Sequence, residues 1–196
     1  MSIYRCHNTR AILEIQRVMF WGPMFSGKTT ELQNIKRQFT RAGIRAEIFN
    51  PAKNTRDNEL VSSHDGQTSS CIRFSSVSDV IDAVDRLQLE VVLLEEAQFF
   101  PALGELCDEL YERAIHVFVA TLNQDFTGNP WPHIRDLLHT FEVHQTWSVC
   151  SLCGSMKAWY SQKISDAEPD SDGNLIGDEE DYRPLCAACW HKNSQT

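Results

Sequence analysis

With 196 residues, the chain can bury one proper hydrophobic core and a small accessory unit, but not two large domains. Its formal net charge of −9 argues against a nucleic-acid partner, which would call for a basic face, and favours a small-molecule substrate. No run approaches the length of a membrane span and the opening residues MSIYRCHNTR lack the apolar core of a signal peptide, so a soluble cytoplasmic protein with no membrane partner is expected.

Val18, Met19, Phe20 and Trp21 read as a short buried strand, and Thr30 to Thr40 as the helix that follows. Between them, Gly22-Pro23-Met24-Phe25-Ser26-Gly27-Lys28-Thr29 satisfies every position of the P-loop pattern G-x-x-x-x-G-K-[ST]. Glycines there let backbone N–H groups and the helix N-terminus face phosphate oxygens, so Gly22 through Thr30 are the candidate ATP-binding residues. Lys28 is expected to reach the β- and γ-phosphates and the Thr29 hydroxyl to ligate Mg²⁺. Leu32, Ile35 and Phe39 share one face of the helix, which Gly43 is placed to end.

A strand is expected over Ala46 to Phe49, followed by a polar loop from Asn50 to Ser70. Cys71 to Phe74 reads as a strand, Ser78 to Leu87 as a helix and Val91 to Leu94 as an apolar strand covered on both faces. Glu95 and Glu96 follow it directly, as in a Walker B element, where side chains at the C-terminal strand edge face the nucleotide. Two adjacent carboxylates can divide the work: one helps hold the metal shell, directly or through water, and the other accepts a proton from an attacking hydroxyl. Pro101 to Ala114 is expected as a helix and His116 to Leu122 as a strand. This order predicts an α/β P-loop core with a mostly parallel sheet flanked by helices.

The texture changes near residue 146. Cys150-Ser151-Leu152-Cys153 and Cys186-Ala187-Ala188-Cys189 form two C-x₂-C knuckles whose four thiolates match a structural tetrahedral Zn²⁺. The remaining cysteines, Cys6, Cys71 and Cys107, receive no role. Between the knuckles, Asp166, Glu168, Asp170, Asp172, Asp178, Glu179, Glu180 and Asp181 make a loop that repels phosphate backbones and suits a lid. The expected division is a nucleotide-binding domain over 1–146, a zinc-binding lasso lobe over 147–192 and a tail over 193–196.

Taken together, these motifs resemble the type II, cellular-type thymidine kinase family, from about Val18 to His191. The resemblance rests on GPMFSGKTTEL, Lys53-Asn54-Thr55-Arg56 with Ser63-His64-Asp65-Gly66, EEAQFF, Leu122 with Asp125-Phe126-Thr127-Gly128-Asn129-Pro130, and Ile176-Gly177 and Tyr182 inside the zinc knuckles. It implies phosphorylation of the 5′-hydroxyl of thymidine, and often deoxyuridine, with ATP and Mg²⁺ in nucleotide salvage. By the same resemblance Glu96 is the general base, Arg56 approaches the transferring phosphoryl group, and Glu95 with Thr29 holds Mg²⁺. Met24, Phe99, Leu122, Phe126, Ile176, Gly177 and Tyr182 enclose the nucleoside. A homotetramer and feedback inhibition by dTTP are also implied. Glu95 stands where many members have Asp, Asn54 and Asn123 where Asp is common, and Gln124 where a small residue is usual. Two other readings stand beside this one: a kinase of another nucleoside, and a P-loop regulatory module whose zinc lobe contacts a protein partner.

Overall fold

The structure is a computed structural model that describes residues 15–54, 60–62, 68–168 and 176–193. Arg56, the 63–66 motif and the middle of the acidic lasso therefore lie outside the described residues. The elements run in chain order as β1 (Arg17–Gly22), α1 (Lys28–Arg41), β2 (Ala46–Pro51), β3 (Leu60–Ser62), β4 (Thr68–Phe74), α2 (Val77–Leu87), β5 (Val91–Leu94), α3 (Leu103–Glu112), β6 (His116–Leu122), α4 (Pro132–Arg135), β7 (Glu142–Gln145), β8 (Ala158–Lys163), β9 (Tyr182–Cys186) and α5 (Ala187–Asn193). Seven strands form one sheet in the order β3-β4-β2-β5-β6-β1-β7. All neighbours in it pair parallel except the β3–β4 hairpin at one edge.

Alternation along the central strands explains why they read as unbroken apolar runs. Val18, Phe20, Ala46, Ile48, Val91, Leu93, Phe118 and Ala120 face one side, where Leu32, Ile35 and Phe39 of α1 cover them. Met19, Phe49, Val92, Leu94, Val117 and Val119 face the other, packed with Val80, Ala83 and Val84 of α2 and Leu103, Leu106 and Leu110 of α3. A strand buried on both faces has no polar positions to alternate with. The end of α1 is closed by Gly43 N–H to Thr40 O (3.0 Å) and Ile44 N–H to Phe39 O (2.9 Å), the paired bonds of a Schellman motif.

Three expectations need correction. The segment from Asn50 to Ser70 is not one loop: Asn50 and Pro51 extend β2, Leu60–Ser62 forms β3 and Thr68 to Ser70 open β4. Backbone ladder bonds there are indifferent to side-chain polarity, and the buried Asn50 is served by Asn54 Nδ2 (3.1 Å). Helix α3 is shorter than Pro101–Ala114, because Leu103 N–H closes a turn onto Phe100 O and Ala114 takes a φ of +56°. Strand β7, polar and only four residues long, carries no period-two apolar signal and was not anticipated.

A second, two-stranded antiparallel sheet pairs β8 with β9. With α5 it encloses a small core of Cys150, Ala158, Leu185 and Cys186, against which Tyr160 and Trp190 stack at 4.8 Å.

Candidate active site

β1 and β5 both end at the same sheet edge with β6 between them, so the P-loop leaving β1 and the acids leaving β5 converge. A cleft of about 630 Å³ opens there. Met24, Phe25, Ser26, Gly27, Lys28, Thr29 and Thr30 form its floor, and Glu95, Glu96 and Leu122 form one wall. Ser151, Glu179, Tyr182, Arg183 and Pro184 of the smaller lobe form the other. Lys28, only 9 % exposed, donates to Pro23 O at 2.6 Å and to Ser26 Oγ at 3.4 Å, so its ammonium is folded over its own loop at the positive end of α1. The Thr29 hydroxyl donates to Glu95 Oε1 at 2.6 Å, and Glu95 is 4 % exposed. A hydroxyl and a carboxylate so placed are the hard oxygen donors that suit a divalent cation beside phosphates. Glu96 sits half-buried at φ +46°, in the left-handed region that non-glycine residues seldom occupy, and accepts a short hydrogen bond from Gln98 Nε2.

The P-loop is braced from outside itself. Ser161 of β8 accepts the Met24 N–H at 3.0 Å, Thr146 Oγ1 meets Ser26 Oγ at 2.8 Å, and Ser148 donates to Phe25 O at 3.1 Å. Asn123 and Gln124, at the end of β6, both donate to Trp159 O (2.8 and 3.2 Å). Trp21 meets the Trp159 ring edge-on at 5.1 Å.

Cys150, Cys153, Cys186 and Cys189 bring their sulfurs within 4.8 Å of one another, a set that could hold a metal ion. Burial opposes ionisation of Cys150, yet backbone hydrogen bonds at Cys186, Leu152 and Cys153 bring its thiol down to about 6. Cys189 is pushed up to about 12, first by its hydrogen bond with Cys153 and then by burial. A backbone that favours one thiolate beside thiols that resist further negative charge is an arrangement a cation completes.

Residues 15–190 match the thymidine kinase family. The chain belongs to the thymidine kinase family. It is 36 % identical over 172 residues to a thymidine kinase of Mycoplasmoides gallisepticum, spanning 84 % of this chain and 76 % of that protein. It is also 33 % identical over 172 residues to a thymidine kinase of Bacteroides thetaiotaomicron, spanning 86 % and 83 %. A thymidine kinase of Mycoplasma genitalium is 32 % identical over 167 residues, spanning 84 % and 78 %.

Of the residues that the thymidine kinase resemblance singled out, Met24 to Thr30, Glu95, Glu96, Leu122 and Tyr182 line the one cleft. Gly22 and Pro23 lie behind it; at Gly22 a Cβ would stand 2.2 Å from Thr146 Oγ1 and 2.4 Å from Thr146 O, so no other residue fits. Phe99 is buried with its ring 6.0 Å from Trp131, and Phe126 lies beneath Lys163 Nζ at 6.0 Å; neither lines the cleft. Ile176 is half-buried and Gly177 buried, with Asp181 packed where a side chain at Gly177 would go. The braces Thr146 and Ser148 carry no sequence signal, since each acts on a residue distant in the chain; Gln98 lies within EEAQFF, but that string does not tell what its amide bonds.

Proposed function

We propose that this thymidine kinase family member transfers the γ-phosphoryl group of ATP to the 5′-hydroxyl of thymidine, and of deoxyuridine, in cytoplasmic nucleotide salvage. The observation that carries the reading is that Lys28, Thr29, Glu95 and Glu96 open on one cleft whose far wall is Tyr182 and Pro184. P-loop N–H groups and Lys28 bind the phosphates; Thr29 and Glu95 are the residues to hold Mg²⁺, which supplies charge neutralisation when bound. Glu96 takes the proton of the 5′-hydroxyl as its oxygen bonds to the γ-phosphorus and the bond to the β-phosphate oxygen breaks. By family resemblance Arg56 approaches the same phosphoryl group, Phe99, Phe126, Ile176 and Gly177 support the nucleoside site, dTTP inhibits there and four copies assemble. Among the described residues no helix is long and apolar enough to cross a membrane.

The four cysteines fit zinc. Tetrahedral Zn–S bonds of about 2.3 Å set sulfur–sulfur edges of about 3.8 Å, and Cys153 and Cys186 stand 3.7 Å apart. All four positions belong to protein sulfur, so the metal's part is to hold the lobe together rather than to catalyse.

The test is a panel in which purified protein and MgATP are incubated with thymidine, deoxyuridine, deoxycytidine and purine deoxynucleosides, and the 5′-monophosphates are separated. Product from thymidine, with or without deoxyuridine, is expected. Product from another nucleoside alone would move the specificity, and ATP bound without product would favour a regulatory module. Glu96→Gln is expected to lower kcat roughly 10²–10⁴-fold with ATP affinity kept; near-full turnover in that variant would remove the base.

A further inference from the structure

Gln98 is 1 % exposed, lies in the 3₁₀ turn Ala97–Phe99 just after Glu96, and has no place among the expected site residues. Its two ends make different contacts. Oε1 accepts from the Leu122 backbone N–H at 3.2 Å and from the Thr121 hydroxyl at 3.2 Å; Nε2 donates to Glu96 Oε2. A backbone N–H can only donate, so Leu122 decides which end of the amide is oxygen and obliges the NH₂ group to face Glu96. The amide thus ties a carboxylate in a strained backbone conformation to the β6 end beside it in the same cleft wall.

Resting on the reading of Glu96 as base, we infer that Gln98 is the positioning residue of the phosphoryl transfer: it fixes the base relative to the acceptor's seat at Leu122. A base displaced by an ångström loses much of its effect. The other charged or titratable groups that face the cleft are Glu95 at the end of β5, Lys28 at the start of α1, and Glu179, Tyr182 and Arg183 of the smaller lobe.

Gln98→Glu separates this role from simple packing. The introduced carboxylate keeps an acceptor for Leu122 N–H and Thr121 Oγ–H but turns an oxygen toward Glu96, so the tie to the base is lost and like charge pushes the base out of place. Its kcat is expected to fall about tenfold or more, with the thymidine KM and the ATP affinity, measured by direct binding, unchanged. Gln98→Met, which removes both contacts at similar volume, is expected to lower kcat about ten- to hundredfold while ATP affinity holds. Wild-type kcat in Gln98→Glu or in Gln98→Met overturns the inference. If Gln98→Glu does not fold, the kcat of Gln98→Met decides alone. Glu96→Gln measured alongside keeps the two failures apart: near-full turnover there removes the base itself, whereas a large loss there with unaltered Gln98 variants removes only the positioning role.

Discussion

At Gly22 the constraint is steric and comes from another part of the chain. Thr146 N–H bonds to Trp21 O at 2.9 Å, which carries the Thr146 carbonyl and hydroxyl over the Gly22 Cα. Gly22→Ala must push apart β1 and the segment after β7, and backbone atoms cannot rotate away as a flexible side chain would. The variant is expected to lose stability by about 1–3 kcal/mol and to bind ATP roughly tenfold or more weakly, read by thermal unfolding and by equilibrium binding. The P-loop glycine was legible from its motif, but its steric reason was not, because Thr146 is far away in sequence.

Among the elements, α2 shows how much local sequence can settle. Ser76 accepts the Asp79 N–H at 3.2 Å and Asp79 Oδ2 accepts the Ser76 N–H at 3.0 Å, a reciprocal capping box. The backbone hydrogen bond from Ser75, then those of Ser76, hold the Asp79 carboxyl below its ordinary value of 3.8. A carboxylate whose folded pKa is depressed stabilises the fold above its unfolded pKa and loses that contribution as pH falls through the folded value. Asp79→Asn is therefore expected to lower the urea midpoint at neutral pH, with the difference from wild type closing below about pH 3.8; Ser76→Ala is expected to cost about 1 kcal/mol. Helices α1 and α2 and the central strands were readable because period and caps are local. Strands β3 and β7 were not, since edge pairing depends on a neighbouring strand, β3 has only three residues and β7 is mostly polar.

For the whole molecule, the smaller lobe braces the nucleotide site. Its β8 supplies Ser161 to the Met24 N–H and Trp159 O to Asn123 and Gln124, while its α5 sets Trp190 3.6 Å from where a Cβ on Gly128 would lie, in the loop bearing Phe126. Both strands of that lobe start or finish beside the cysteine cluster. Removal of the proposed zinc by a chelator is expected to unfasten the lobe and so loosen the P-loop: ATP affinity falls, and the emission of the Trp21, Trp147 and Trp159 group changes in parallel. Unchanged ATP binding and fluorescence after complete metal loss would separate the lobe from the nucleotide site.

The sequence alone determined the P-loop, the acids Glu95 and Glu96, the two cysteine knuckles and the α/β order, because each is a short pattern whose chemistry lies within a few consecutive residues. Asn123 and Gln124 stood out only as departures from a family pattern; tertiary structure gave them a partner in Trp159 O. The strand order likewise decided what meets in the cleft. Placing β6 between β1 and β5 brings Thr29 onto Glu95, 66 positions apart in sequence, and lets one buried amide at Gln98 join the Glu96 carboxylate to Leu122. Such contacts depend on register between distant segments, which local periodicity does not encode.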